Sequence, residues 1–114
     1  QERVNWVKYP FLPSHPQFEV AVRQMKKGGN IVTFEVKGGL DEGRAFLNRI
    51  QMCSLSANLG DTRTIVTHPA SSTHSKLSKE ERLEVGITDG LIRVSVGLEN
   101  ISDIVSDLQQ ALNQ

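Results

Sequence analysis

The fold is read from Thr88-Asp89-Gly90-Leu91-Ile92-Arg93-Val94-Ser95-Val96-Gly97-Leu98-Glu99. Leu91, Ile92, Val94, Val96 and Leu98 form an apolar, largely β-branched run between a glycine-containing turn and a helix start, which predicts a strand. One inner position is a guanidinium. Burying Arg93 without a partner would cost several kcal/mol, so it must sit at a strand end, pair with an internal carboxylate or hold an anionic ligand. From this stretch alone, a structural ion pair or a solvated strand face is a commoner explanation than a ligand.

Outward from that strand the chain is punctuated clearly. On the carboxy-terminal side Asn100 caps a helix in which Ile101, Ile104, Val105, Leu108, Ala111 and Leu112 recur at steps of three and four. On the amino-terminal side Ser78 and Glu81 form a capping box that opens a short charged helix ending at Gly86. Before it come two short strands, Ser54 to Asn58 and Thr62 to Thr67, around Leu59-Gly60-Asp61, and then the loop His68-Pro69-Ala70-Ser71-Ser72-Thr73-His74. Leu40 to Met52 is a helix, with Ala45, Phe46, Leu47, Ile50 and Met52 on one broad side, Asp41 and Glu42 in its first turn and Arg49 in its last. Asn30 to Lys37 alternates Ile31, Thr33 and Glu35 against Val32, Phe34 and Val36, the period of a strand with one buried face, and Gly38-Gly39 ends it. A further helix runs from about Pro16 to Lys26, with Ser14 as cap and Gln17 closing the box. Residues 1–13, rich in proline and aromatic side chains, read as a connecting arm carrying one short strand, and residues 14–114 as the domain proper. The predicted class is α+β: about four strands in a mostly antiparallel sheet, with helices packed on one face.

Composition narrows the function. Thirteen basic and thirteen acidic side chains among 114 residues cancel, so the overall charge favours neither nucleic acid nor an anionic membrane surface. No apolar run approaches the roughly 20 residues that span a bilayer, the amino terminus lacks a signal-peptide layout, and a single Cys53 suits a reducing compartment, so a cytoplasmic protein is expected. His68 and His74 are six apart across a proline-containing loop, the wrong spacing for two metal ligands on one helix face, and no metal is expected. Cys53, at the apolar end of a helix, reads as core rather than nucleophile. Ser71, Ser72 and Ser75 lack the elbow and the orienting carboxylate of a hydrolase.

Several blocks together resemble a known family. Ala57-Asn58-Leu59-Gly60-Asp61, His68 to His74, and Gly86 to Glu99, with Tyr9-Pro10, Ser14-His15-Pro16 and Gly28-Gly29 before them, stand in the order found in the carboxy-terminal domain of the Cys/Met-metabolism pyridoxal-phosphate enzymes. That family includes cystathionine synthases and lyases, methionine γ-lyase and the homoserine-ester sulfhydrylases, and the likeness covers nearly the whole chain. The resemblance implies the small carboxy-terminal domain of a fold-type I enzyme, joined by residues 1–13 to a large amino-terminal domain. It implies that Arg93 binds the α-carboxylate of the amino-acid substrate, that Asn58 and Leu59 lie beside the same carboxylate, and that Thr73 adds a hydroxyl near the cofactor pocket. The position of Asn58 is serine-like in the γ-lyases, and with Thr62 this block looks most like the sulfhydrylases that make homocysteine from O-succinylhomoserine or O-acetylhomoserine by γ-replacement. Methionine γ-lyase and cystathionine γ-synthase or lyase are the alternatives. None of Lys8, Lys26, Lys27, Lys37, Lys76 and Lys79 stands in the family's Ser-x-Thr setting for the Schiff-base lysine, so the resemblance places pyridoxal 5'-phosphate on the large domain, with none in this piece, which would be inactive alone. It implies a homotetramer for the longer enzyme. The competing class is an autonomous small ligand-binding module. A detached domain should expose an apolar patch, for which Trp6, Tyr9 and Phe11 are the candidates.

Overall fold

The computed structural model describes residues 2–25, 27–55 and 63–113. Its elements, in chain order, are β1 (Val4–Lys8), α1 (Phe18–Gln24), β2 (Ile31–Val36), α2 (Gly39–Arg49), β3 (Ser54–Leu55), β4 (Ile65–Thr67), a 3-10 turn at Pro69–Ser71, α3 (Lys79–Glu84), β5 (Leu91–Ser95) and α4 (Ile101–Leu112). The strands form one sheet of five in the order β1-β2-β5-β4-β3. The expected α+β class is met, with one strand more than expected. Among the described residues three pairs are antiparallel and only β3 on β4, at the far edge, is parallel. The strand expected within residues 1–13 is β1, an edge strand whose Val7 faces Phe34 of β2.

β5 is in the centre, and all of it but Arg93 is buried. Phe34 pairs with Ile92, and Val32 and Val66 flank Val94, so this face of the sheet is continuous under α2 and α4. Phe46 of α2, fully buried, meets Phe34 edge-on at 5.7 Å, and Ala111 and Leu112 of α4 close the core. Burying a side chain such as Phe46 stabilises by about 2–3 kcal/mol. The chain passes from β2 to α2 through Gly38 and Gly39, at φ 103° and 70°, a corner that L side chains rarely adopt.

Helix limits depart from expectation where side chains compete for backbone N–H groups. The second helix stops at Arg49 rather than Met52 because, after Ile50, Asp107 on α4 takes three successive donors: the N–H groups of Gln51, Met52 and Cys53 donate to its carboxylate at 2.9, 2.8 and 2.8 Å. Gln110 Nε2 donates to it as well, at 3.1 Å. Burial alone would raise the carboxyl, but the three N–H donors outweigh it and hold Asp107 at about 2. The first helix starts at Phe18, not Pro16, and Ser14 does not cap it. Successive turns Tyr9–Leu12, Leu12–His15 and His15–Phe18 occupy that stretch, and the His15 ring accepts the Gln17 N–H at 3.0 Å instead. The other two caps stand as read: Ser78 and Glu81 form a full capping box, and Asn100 Oδ1 accepts from Ser102 N–H.

The apolar exposure is also elsewhere than expected. Trp6, Tyr9 and Phe11 are half-buried, Tyr9 donating to the Gly29 carbonyl at 2.8 Å. Ile101 and Val105 of α4, which the periodicity had placed inward, are instead 63% and 50% exposed along an apolar groove between that helix and the sheet, shared with Val4, Val7 and Val96. Among the described residues no helix is long and apolar enough to cross a membrane.

Two predictions follow from these contacts. Gly43 of α2 lies so close to the His68 ring that a Cβ there would overlap it, so Gly43→Ala should lower stability by about 1–3 kcal/mol in thermal unfolding; a change within experimental error would show that the helix can shift freely. Asp107 has its carboxyl depressed from 3.8 to about 2, so its stabilising effect is complete above pH 3.8 and is lost as pH falls towards 2. Denaturant midpoints should therefore drop through that window in the natural protein and much less in Asp107→Asn, which should be destabilised at neutral pH; parallel acid limbs would refute the assignment.

Candidate functional site

The face of the sheet turned away from α2 and α4 carries the polar row. Because Ile92 and Val94 point into the core, Arg93 points the other way, and antiparallel pairing sets Thr33 of β2 on one side of it and Thr67 of β4 on the other. Thr67 is buried, while Arg93 and Thr33 are half-buried. A guanidinium held this way, mid-strand and flanked by two hydroxyl side chains, can offer parallel N–H groups to a carboxylate in a fixed direction. The flanking threonines were not singled out from the sequence. Their signal was available only through the pairing: Thr67 becomes a neighbour of Arg93 once β4 and β5 are known to be antiparallel and in this register.

From Thr67 the chain continues directly into the loop that the sequence marked. His68 is fully buried beneath it. Its Nε2 lies 2.6 Å from the Asp89 carbonyl, which can only accept, so that nitrogen carries the proton and Nδ1, 2.7 Å from Ser71 Oγ, accepts. Burial pushes His68 down from 6.5, which favours the neutral ring that this arrangement needs. The ring thus fastens the 3-10 turn to α2 and to the turn before β5, a role that its spacing from His74 did not suggest. Asp89 itself is paired with Arg82 and Lys79 of α3, at 3.3 and 3.4 Å.

Thr73 is exposed on the turn after the 3-10 segment, its hydroxyl 2.8 Å from His74 Nδ1. Asn58 and Leu59 lie outside the described residues, as does most of the strand expected at Ser54 to Asn58 and the start of that expected at Thr62. Among the described residues no group of three His, Cys, Asp or Glu side chains is placed to hold a metal ion. Cys53 is buried in the core, and burial together with the Asp107 carboxylate pushes its thiol up to about 12.

A fold of this kind with a polar arginine row could serve many ligands, and comparison with known proteins shows which family it comes from. The family described as Cys/Met metabolism PLP-dependent enzyme matches residues 1–113. The chain belongs to that family. An L-methionine gamma-lyase of Fusobacterium nucleatum subsp. nucleatum is 53% identical over 112 residues, covering 98% of this chain and 28% of the relative. An O-succinylhomoserine sulfhydrylase of Mycobacterium tuberculosis is 46% identical over 114 residues, covering 96% of this chain and again 28% of the relative. Among solved structures, the cystathionine gamma synthase of Xanthomonas oryzae pv. oryzae, in complex with aminoacrylate and cysteine, superposes with a TM-score of 0.89 at 38% identity, over 98% of this chain and 29% of that one. The chain therefore spans little more than a quarter of the length of these relatives.

Pyridoxal phosphate, on which the family depends, requires a lysine amine in an enclosed site together with donors around its phosphate. The described residues do not fit it. All five described lysines, Lys8, Lys27, Lys37, Lys76 and Lys79, are exposed; Lys8 lies over the Trp6 ring at 5.0 Å and Lys79 pairs with Asp89.

The inert thiol is open to direct measurement. With a pKa of about 12 against 9.0 for a free thiol, Cys53 should react with iodoacetamide at pH 8 about a thousandfold more slowly in the folded protein than in denaturant. Equal rates would place the thiol at the surface.

Proposed function

We propose that residues 14–114 act as the carboxy-terminal, substrate-clamping domain of a pyridoxal-phosphate enzyme of sulfur amino-acid metabolism, and that Arg93 binds the α-carboxylate of its substrate. The observation that carries this is the position of Arg93: a fixed guanidinium in mid-strand, on the sheet face that α2 and α4 leave uncovered, flanked by Thr33 and Thr67. The family membership supplies the reason for a carboxylate there, since its substrates are amino acids. Arg93 would bind and orient; the cofactor, held on a large amino-terminal domain reached through residues 1–13, supplies the electron withdrawal from the substrate carbon. Thr73, with Asn58 and Leu59, completes the clamp in this reading. A cytoplasmic, homotetrameric enzyme accords with it, and the free, buried Cys53 suits a reducing compartment.

The reaction best supported is γ-replacement on a homoserine ester, giving homocysteine, because Asn58 replaces the serine-like residue of the γ-lyases within Ala57-Asn58-Leu59-Gly60-Asp61-Thr62. The 53% identity to a methionine gamma-lyase favours γ-elimination as the second reading. Sulfide-dependent homocysteine formation from O-succinylhomoserine or O-acetylhomoserine, set against ammonia release from methionine, separates the two.

Arg93→Lys in the complete enzyme should lower kcat/KM for the amino-acid substrate about 30- to 1000-fold, or about 2–4 kcal/mol, since a point charge replaces a two-pronged contact. The visible spectrum of the bound cofactor should be unchanged. Normal turnover by that variant would refute the carboxylate role.

A further inference from the structure

Thr64, fully buried at the start of β4, is tied on every polar atom. Its N–H donates to both carboxylate oxygens of Glu99, at 3.0 and 2.9 Å, and its hydroxyl donates to Glu99 Oε1 at 2.7 Å. That hydroxyl also accepts the Gly97 N–H at 2.9 Å, and the Thr64 carbonyl accepts the Ser54 N–H at 2.8 Å. A carboxylate can only accept, so the hydroxyl hydrogen points to Glu99 and its lone pair is left for Gly97. The two residues close a latch: 97 and 99, just past the end of β5, grip 64, just before the start of β4.

The latch matters because the ladder beside it is short. β4 meets β5 in three residue pairs, Ile65 with Ser95, Val66 with Val94 and Thr67 with Arg93. So few pairs set register weakly by themselves, and a slip of one residue would turn Thr67 to the core face and bring a different residue beside Arg93. Glu99 fixes the end of that ladder with charge-assisted bonds, which are roughly twice as strong as neutral ones. Asparagine-like or glutamine side chains cannot substitute, since an amide has one accepting oxygen and its nitrogen would meet the Thr64 N–H head-on.

We infer that Glu99 is a positioning residue for the carboxylate site: through Thr64 it holds β4 in the register that sets Thr67 beside Arg93, and so keeps the guanidinium aimed at the substrate. This rests on the reading of Arg93 given above. The latch acts through the register of β4, so its effect is on the carboxylate end of the ligand only.

The test is equilibrium binding by calorimetry to the complete, cofactor-loaded enzyme, with L-norleucine, an amino acid without a leaving group, and L-norleucinamide, which lacks the carboxylate. Glu99→Gln should weaken L-norleucine about tenfold or more and leave L-norleucinamide within about twofold, with the cofactor spectrum unchanged. Thr64→Ser, which keeps the hydroxyl, should bind as the natural protein does. Thr64→Val is the milder lesion if Glu99→Gln fails to fold; it removes only the hydroxyl and should weaken L-norleucine about three- to tenfold. Arg93→Lys in the same assay separates the two claims. If Arg93→Lys leaves L-norleucine binding intact, the carboxylate reading fails and the latch with it. If Arg93→Lys weakens it while Glu99→Gln, or Thr64→Val in its place, changes only thermal stability, Glu99 is structural and the inference is overturned.

Discussion

The structure depends on the two-faced burial of β5. One face gives Ile92 and Val94 to the core beneath α2 and α4, and that alternation leaves Arg93 nowhere to go but the opposite face, between Thr33 and Thr67. Strand geometry, rather than any local preference of arginine, decides where the guanidinium points. The core therefore sets the direction of the charge. A change in the packing of Ile92 or Val94 would be felt at Arg93 through the backbone that they share.

Around that strand, charged and polar side chains fix what apolar contact cannot. Asp107 gathers three successive N–H groups after α2 and so decides where the helix ends and β3 begins. His68, neutral and buried, joins the 3-10 turn to the turn before β5. Glu99 grips Thr64 at the start of β4. Each links positions far apart in the chain, 21 to 56 residues. Loss of any one partner leaves buried donors or acceptors unpaired, which costs more than the bond contributes.

That distance explains what could be read from the sequence and what could not. The alternation of Ile31 to Val36, the Ser78 and Glu81 box and the Asn100 cap are local, and the structure has them all, while the period of α4 holds for the helix itself but not for Ile101 and Val105, which stay exposed. The end of α2 was misplaced because the competing acceptor, Asp107, lies on another helix. The parallel pairing of β3 with β4 leaves no local mark, and Ser14 yields its capping role to a run of turns. Arg93 was legible as an anomaly, a charge inside an apolar strand, whereas Thr33 and Thr67 gained meaning only from register. The resemblance of several separate blocks pointed to the family that the comparisons bear out, and Asn58 and Leu59 lie outside the described residues.

The central claim is that the charge which β5 turns to this face meets the carboxylate of an amino acid. The most direct measurement is a crystal structure of the complete enzyme with cofactor and a non-reacting amino acid bound. The account predicts both carboxylate oxygens within about 3 Å of the Arg93 guanidinium in a two-pronged contact. A carboxylate held by other residues, with Arg93 bonded only to protein groups, would contradict it.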